Sequence, residues 1–230
     1  MRGHVGAATA SGYVSRVSLP FDDRRQAGAE LGRAIGSAGL ERPLILGVPR
    51  GGVAVAAPAA EALGADLDVI VIRKIGAPRN PELGIGAVGA WGQAWVDQRM
   101  VSTLGASEAF LEREIADQRN EALRRVEAYR GGLTPLDVAG RDVVVVDDGI
   151  ATGGTVIAAA HLARAQGPKR LVLAVPVAPI EGVQRAAAVY DEVICPHTPE
   201  PYMAVGQWYR DFHQVSDDEV RSLLAASFNR

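Results

Sequence analysis

Hydrophobic positions along the chain follow two spacings. Short apolar runs, Pro43–Val48 (PLILGV), Leu67–Ile72 (LDVIVI), Val143–Val146 (VVVV), Leu171–Val177 (LVLAVPV) and the stretch ending at Cys195, predict strands buried on both faces, as in a parallel sheet covered by helices. Between them the period lengthens. Ala27, Leu31, Ala34, Ile35 and Ala38 recur at helical spacing behind a cap at Asp22 or Asp23 and stop near Gly39. A helix of small residues runs to Leu63, a long one fills Ser107–Arg130 with Leu111, Ile115, Ala122, Val126 and Tyr129 on one side, and another begins at Thr155 with Val156, Ile157, Ala160 and Ala163 on its stripe. Further helices are expected over Ile180–Tyr190 and after the capping box Ser216–Glu219. Alternation at these lengths predicts one α/β domain over residues 19–230, with a mainly parallel five-stranded sheet and right-handed crossovers. Residues 1–18 show no period and read as a loose N-terminal tail.

Composition narrows the class without changing this picture. An apolar fraction of 48% and a net charge of −3 describe an ordinary globule, and the arginines are interleaved with acids, so nothing points to nucleic acid. The single cysteine, Cys195, excludes an internal disulfide and reads as the buried end of a strand. No apolar run reaches the length of a membrane span and no signal-peptide core is visible, so a cytoplasmic protein without membrane contact is expected.

Chemistry concentrates where strands meet glycine. After the four valines come Asp147 and Asp148, then Gly149, Ile150, Ala151, Thr152, Gly153, Gly154 and Thr155. Glycines at the start of a helix gather backbone N–H groups into a concavity at its positive end, which suits one phosphate. Two carboxylates beside it would repel that phosphate unless they meet ligand hydroxyls or a metal; a phosphate with a neighbouring diol, as in ribose 5-phosphate, satisfies both. No lysine follows the glycines, so a Walker loop fits poorly, and an ordinary tight turn would need neither the paired acids nor two threonines.

The first strand ends similarly in GVPRGGV, where Pro49, Arg50, Gly51 and Gly52 precede a helix and the Arg50 fork suits a pyrophosphate. Arg73 and Lys74 close the next strand. Gly84, Gly86 and Gly89 spell GxGxxG, yet neither a leading buried strand nor a following amphipathic helix accompanies them, so a dinucleotide site is not expected. His161 reads as a structural residue of its helix.

VVVVDDGIATGGT resembles the signature of the type I phosphoribosyltransferases, and VPRGG, RKIGAPRNPE and VDDGIATGG in this order resemble a bacterial branch of that family whose acceptor is not established. The resemblance implies Asp147 and Asp148 on the ribose hydroxyls of 5-phosphoribosyl 1-pyrophosphate (PRPP), and Gly149–Thr155 around its 5-phosphate. Mg²⁺ would be held near the two acids mainly through the ligand and water. It implies pyrophosphate contacts from Pro49, Arg50, Gly51, Gly52, Lys74 and Arg210, with a non-proline cis peptide between Pro49 and Arg50. Residues 75–95 would be the family's mobile loop, with Arg79 reaching the leaving group as a catalytic residue beside the two acids.

Residues 196–215, rich in proline and aromatics, resemble the C-terminal hood of purine phosphoribosyltransferases. Tyr202, Val205, Trp208 and Asp211 are the acceptor-binding candidates there. The implied function is Mg²⁺-dependent phosphoribosyl transfer from PRPP to a nucleobase-like nitrogen, in a homodimer. Ala151 stands where the hypoxanthine-guanine branch carries an Asp that handles the base proton, which leaves the proton acceptor unassigned. A PRPP-sensing protein without catalysis and a sugar-phosphate hydrolase are the alternatives.

Overall fold

A computed structural model describes residues 18–228; of the expected N-terminal tail, residues 1–17 lie outside the described residues. The five core strands are β1 (Leu44–Gly47), β2 (Asp66–Val69), β6 (Asp142–Val146), β7 (Arg170–Ala174) and β8 (Glu192–Ile194). They form one sheet in the order β2-β1-β6-β7-β8, and every pairing is parallel. Val143 to Val146 are wholly buried because helices cover both faces, which is why the central strand carries no alternation. One apolar layer joins α1 (Arg24–Gly36), α2 (Gly51–Leu63), α4 (Glu108–Arg130) and α7 (Asp217–Phe228); the other joins α5 (Gly154–Arg164) and α6 (Ile180–Ala186). This is the mainly parallel five-stranded α/β architecture expected from the alternation of strands and helices.

Helix ends follow the local chemistry read from sequence. The Asp23 carboxylate accepts the Gln26 N–H at 2.8 Å, Ser107 caps α4, and Ser216 with Glu219 forms the reciprocal box at the start of α7. Gly131, at φ 59, ends α4 in the left-handed region that glycine tolerates.

Two expectations need correction. The second core strand stops at Val69, and Arg73 and Lys74 do not stand at its end; they lie on β3 (Ile72–Ala77), the first strand of a separate antiparallel sheet with β4 (Asn80–Gly89) and β5 (Ala94–Val96). Ile75, Ile85 and Val88 of that sheet are fully buried against Met100, Phe110, Leu111 and Ile115 of α3 (Gln98–Leu104) and α4, a second small core that draws the chain away from the parallel sheet. Residues 75–95, expected as a loop, are therefore mostly strand. Their glycines allow backbones to approach: a Cβ on Gly86 would sit 2.4 Å from the Trp95 carbonyl oxygen, and one on Gly76 2.7 Å from that of Pro81. The GxGxxG glycines thus belong to β4. No described helix is long and apolar enough to cross a membrane.

Candidate active site

β1 and β6 are neighbours whose chains depart in opposite directions, to β2 on one side and β7 on the other. Such a reversal leaves a crevice beyond the carboxyl ends of the two strands, because the following helices cover opposite faces of the sheet. Both glycine loops singled out by sequence leave the sheet at this end, after Gly47 and after Val146.

The loop after β1 stays paired for one further residue, with the Val48 N–H donating to the Val146 carbonyl at 2.9 Å. The Pro49–Arg50 peptide is cis. Gly51 and Gly52 then start α2 directly against the acidic loop. A Cβ on Gly51 would lie 2.0 Å from Asp148 Oδ2, and one on Gly52 would lie 2.6 Å from the Val146 carbonyl oxygen and 2.9 Å from Asp147 Cα. Only glycine permits this contact.

In the second loop the Asp148 N–H donates to Asp147 Oδ1 at 2.9 Å, and Arg24 Nε and Nη2 both meet Asp148 Oδ2 at 2.9 Å. Each aspartate therefore keeps one oxygen, Asp147 Oδ2 and Asp148 Oδ1, that accepts no hydrogen bond from the described residues. Burial, reinforced by the neighbouring Asp148 charge, pushes the Asp147 carboxyl well above the usual carboxylate range. Burial also raises Asp148, against the opposing pull of the Arg24 guanidinium. Gly149 is pressed against Val205 and the Val177 carbonyl, and Ile150 is buried with its N–H bonded to that carbonyl at 3.2 Å. Ala151, Thr152, Gly154 and Thr155 are exposed, and Gly153, at φ 84, enters α5 with no side-chain cap.

Arg50 likewise enters α2 without capping it, so the first-turn N–H groups of both helices at the crevice lack the side-chain acceptors that Asp23, Asp97, Ser107 and Ser216 supply elsewhere.

The remaining candidates are less concentrated. Arg50 faces Asp217 at 3.8 Å in a cleft lined by Arg124, Arg125 and Tyr129. Lys74 Nζ donates to the carbonyl and carboxylate of Glu82 across the hairpin, and Arg79 is exposed at its turn. Arg210 pairs with Asp22 at 3.3 Å, and Asp211 accepts from the backbone and ring of His213.

The expected hood is an ordered segment. A turn of 3-10 helix over Val205–Trp208 leads to Tyr209, which bridges Phe21 ahead of α1. Tyr202, Val205 and Trp208 pack with Phe21, Ala27, Val177 and Tyr209. The Tyr202 hydroxyl and the Trp208 indole N–H are buried without a partner among the described residues. Outside the crevice, the His161 ring stacks on Trp95 at 4.5 Å, and burial pushes the Cys195 thiol up to about 12, so both read as structural.

Sequence reading overlooked Arg24 and Tyr209. Arg24 shares the stripe of Ala27 and Leu31, so it points inward from α1, and only 10% of its side chain is exposed. The Tyr209 hydroxyl donates to the Asp148 carbonyl at 2.6 Å. A charged residue in phase with an apolar stripe was the available clue.

Comparison with known proteins gives the family. The model of the phosphoribosyl transferase domain matches residues 25–205. The Mycobacterium tuberculosis (strain H37Rv) protein named "Putative phosphoribosyl transferase Rv0571c" is 44% identical over 204 residues, covering 89% of this chain and 46% of its own. The chain thus spans about half the length of the curated relatives it matches. A crystal structure of TT1426 from Thermus thermophilus is 45% identical, with a TM-score of 0.83 over 90% of this chain and 99% of the other. A uracil phosphoribosyltransferase of Clostridioides difficile matches more locally, at 40% identity over 73 residues, 32% of this chain and 34% of that one. With its domain match spanning both glycine loops and the acidic pair, the chain belongs to the phosphoribosyl transferase family.

Proposed function

We propose that this chain transfers the phosphoribosyl group of PRPP to a nitrogen of a nucleobase-like acceptor and releases pyrophosphate. The observation that carries the reading is convergence: two helix N-termini without side-chain caps and two carboxylate oxygens that accept no hydrogen bond from the described residues follow the carboxyl ends of the adjacent strands β1 and β6. The α5 terminus takes the 5-phosphate, Asp147 Oδ2 and Asp148 Oδ1 take the ribose hydroxyls, and the Gly51 end of α2 takes the pyrophosphate. The bond from the anomeric carbon to the pyrophosphate oxygen breaks with its electron pair going to that oxygen, a bond to the acceptor nitrogen forms, and the nitrogen's proton passes to the released pyrophosphate or to solvent. The adjacent carboxylates favour the positive charge that grows on the sugar, and the helix ends favour the charge on the leaving group.

The donor set fits Mg²⁺ held largely by others. Among the described residues no three His, Cys, Asp or Glu side chains are grouped to hold a metal ion. Two carboxylates suit an ion that keeps several waters and takes phosphate oxygens. When bound, it would neutralise the pyrophosphate; Asp147 and Asp148 would hold it through water and the sugar hydroxyls.

Arg50, Lys74, Arg79 and Arg210 now rest on solvent or on their own neighbours. Their pyrophosphate roles require the hairpin and hood to close, which is part of the proposal. The acceptor sits in the hood at Tyr202, Val205, Trp208 and Asp211. The reading extends to a cytoplasmic homodimer in nucleotide salvage, the assembly being open to light scattering. Ala151 is exposed where one branch places its proton-handling acid, and this favours a second reading as a PRPP sensor. Pyrophosphate release, measured with PRPP, Mg²⁺ and a panel of nucleobases, separates the two. Acceptor-dependent release is expected; PRPP binding without release from any acceptor supports the sensor, and acceptor-independent release indicates a hydrolase.

A further inference from the structure

Arg24 stands where four parts of the molecule meet. Its Nε and Nη2 hold Asp148 Oδ2, and its Nη1 donates to the His213 carbonyl at 2.9 Å. Its guanidinium lies 4.0 Å from the centre of the Phe212 ring and 5.8 Å from that of Tyr209. The place where Gly51 would carry a Cβ is 3.2 Å from its Nε. The same acid is gripped from the hood a second time, through the Tyr209 hydroxyl on the Asp148 carbonyl. The hood is also laced to the chain just ahead of Arg24: the Phe21 N–H donates to the Trp208 carbonyl, the Arg210 N–H to the Phe21 carbonyl and the Asp211 N–H to the Asp22 carbonyl, at 2.8 to 2.9 Å.

We propose that Arg24 is a positioning residue that ties the acceptor hood to the sugar-binding carboxylate. By taking only Oδ2 it sets the rotamer that leaves Asp148 Oδ1 open, and by reaching the His213 carbonyl it transmits the position of that carboxylate to residues 209–213. This rests on the assignment of Asp148 to the ribose. A planar guanidinium is required, because three nitrogens in fixed directions serve two acceptors while the flat face stacks on an aromatic ring. A lysine could keep the ion pair as a point charge but could not hold the carbonyl and the ring as well. The consequence is an ordered pocket: with the ribose seated on Asp148, the hood closes in register with it, and acceptor recognition follows donor binding.

Amide hydrogen exchange on the full chain tests this. In unliganded protein, Arg24→Lys should raise exchange at the Arg210 and Asp211 amides at least tenfold while the β6 amides stay at wild-type rates. With PRPP and Mg²⁺, wild type should gain protection both in the first turn of α5 and in the hood. Arg24→Lys, at a PRPP concentration that saturates it, should gain it only in α5. Phe212→Leu, which removes the stacked ring and leaves the ion pair, should loosen the hood to an intermediate degree. Wild-type hood exchange in Arg24→Lys, a uniform rise across the whole chain, or wild-type protection by PRPP that stops at α5 would each overturn the proposal. Should PRPP protect nothing in wild type, the ribose assignment fails, and the unliganded comparison still decides whether Arg24 holds the hood.

Discussion

Asp147 and Asp148 carry the same side chain on adjacent residues, and burial raises both, Asp148 against the pull of the Arg24 guanidinium. Asp147 is raised by burial and by its neighbour's charge, so the native state holds its proton more tightly than the unfolded chain does. That contribution is full below the ordinary carboxyl value and is lost as pH climbs through the raised one. Asp147→Asn keeps an acceptor for the Asp148 N–H and removes the charge. It should raise stability by roughly 1 kcal/mol at pH 7 to 8, less as pH falls, while PRPP binding drops at least tenfold; thermal melts across pH and calorimetric titration check both. Asp148→Asn should gain less than Asp147→Asn in the same melts, because Arg24 then stays buried without its counter-charge. Gly51→Ala would thrust a methyl group onto Asp148 Oδ2, and the Arg24 contacts prevent that carboxylate from retreating cheaply. PRPP affinity should fall by more than tenfold with the parallel sheet intact, as titration and circular dichroism would register. The acids and glycines were legible because their types and order state a chemistry; Arg24 and Tyr209 were not, since their roles depend on residues more than 60 or 120 positions away.

At the scale of elements, two helices set the reach of Arg24. Helix α1 approaches α2 through Gly28 and Gly32. A Cβ on Gly28 would lie 2.3 Å from the Val55 carbonyl oxygen and 2.4 Å from Pro58 Cγ, and one on Gly32 3.0 Å from the Ala59 carbonyl oxygen. Neither helix backbone can yield without shifting the loop that ends in Gly51. Gly28→Ala should therefore cost about 1–3 kcal/mol in urea unfolding, with the m-value retained, and should weaken PRPP binding as α1 tilts Arg24 off Asp148. The apolar stripe of α1 was readable from its period. The stripe does not reveal which partner lies opposite or how near, so the glycines within it passed as neutral positions. The same reasoning explains residues 75–95. Their glycines and prolines argued for a loop, while the buried set of Ile75, Ile85 and Val88 pulls them into strands against α3 and α4.

For the molecule as a whole, strand order does what no single motif can. Placing β1 beside β6 brings Gly51 against Asp148 although nearly a hundred residues separate them. A ligand held by both loops binds only the folded chain, so it must raise the melting temperature. At a PRPP concentration about a hundredfold above its dissociation constant, the gain should be about 2.7 kcal/mol, or roughly 5–10 °C for a domain of this size. Ribose 5-phosphate, lacking the pyrophosphate, should give a smaller shift in the same scanning measurement. An equal shift from both would mean that the Gly51 end of α2 plays no part.

The sequence alone determined the alternating α/β plan, the central valine strand and the two glycine loops with their acids, because each is written in local periodicity or in contiguous chemistry. Tertiary structure alone decided that the acids would share Arg24 with the hood, that the glycine-rich stretch would pair as strands, and that four distant segments would close around one carboxylate. Those outcomes turn on burial and on contacts between residues far apart in the chain, and a free energy that comes into being only when two remote surfaces meet leaves no mark on either stretch by itself.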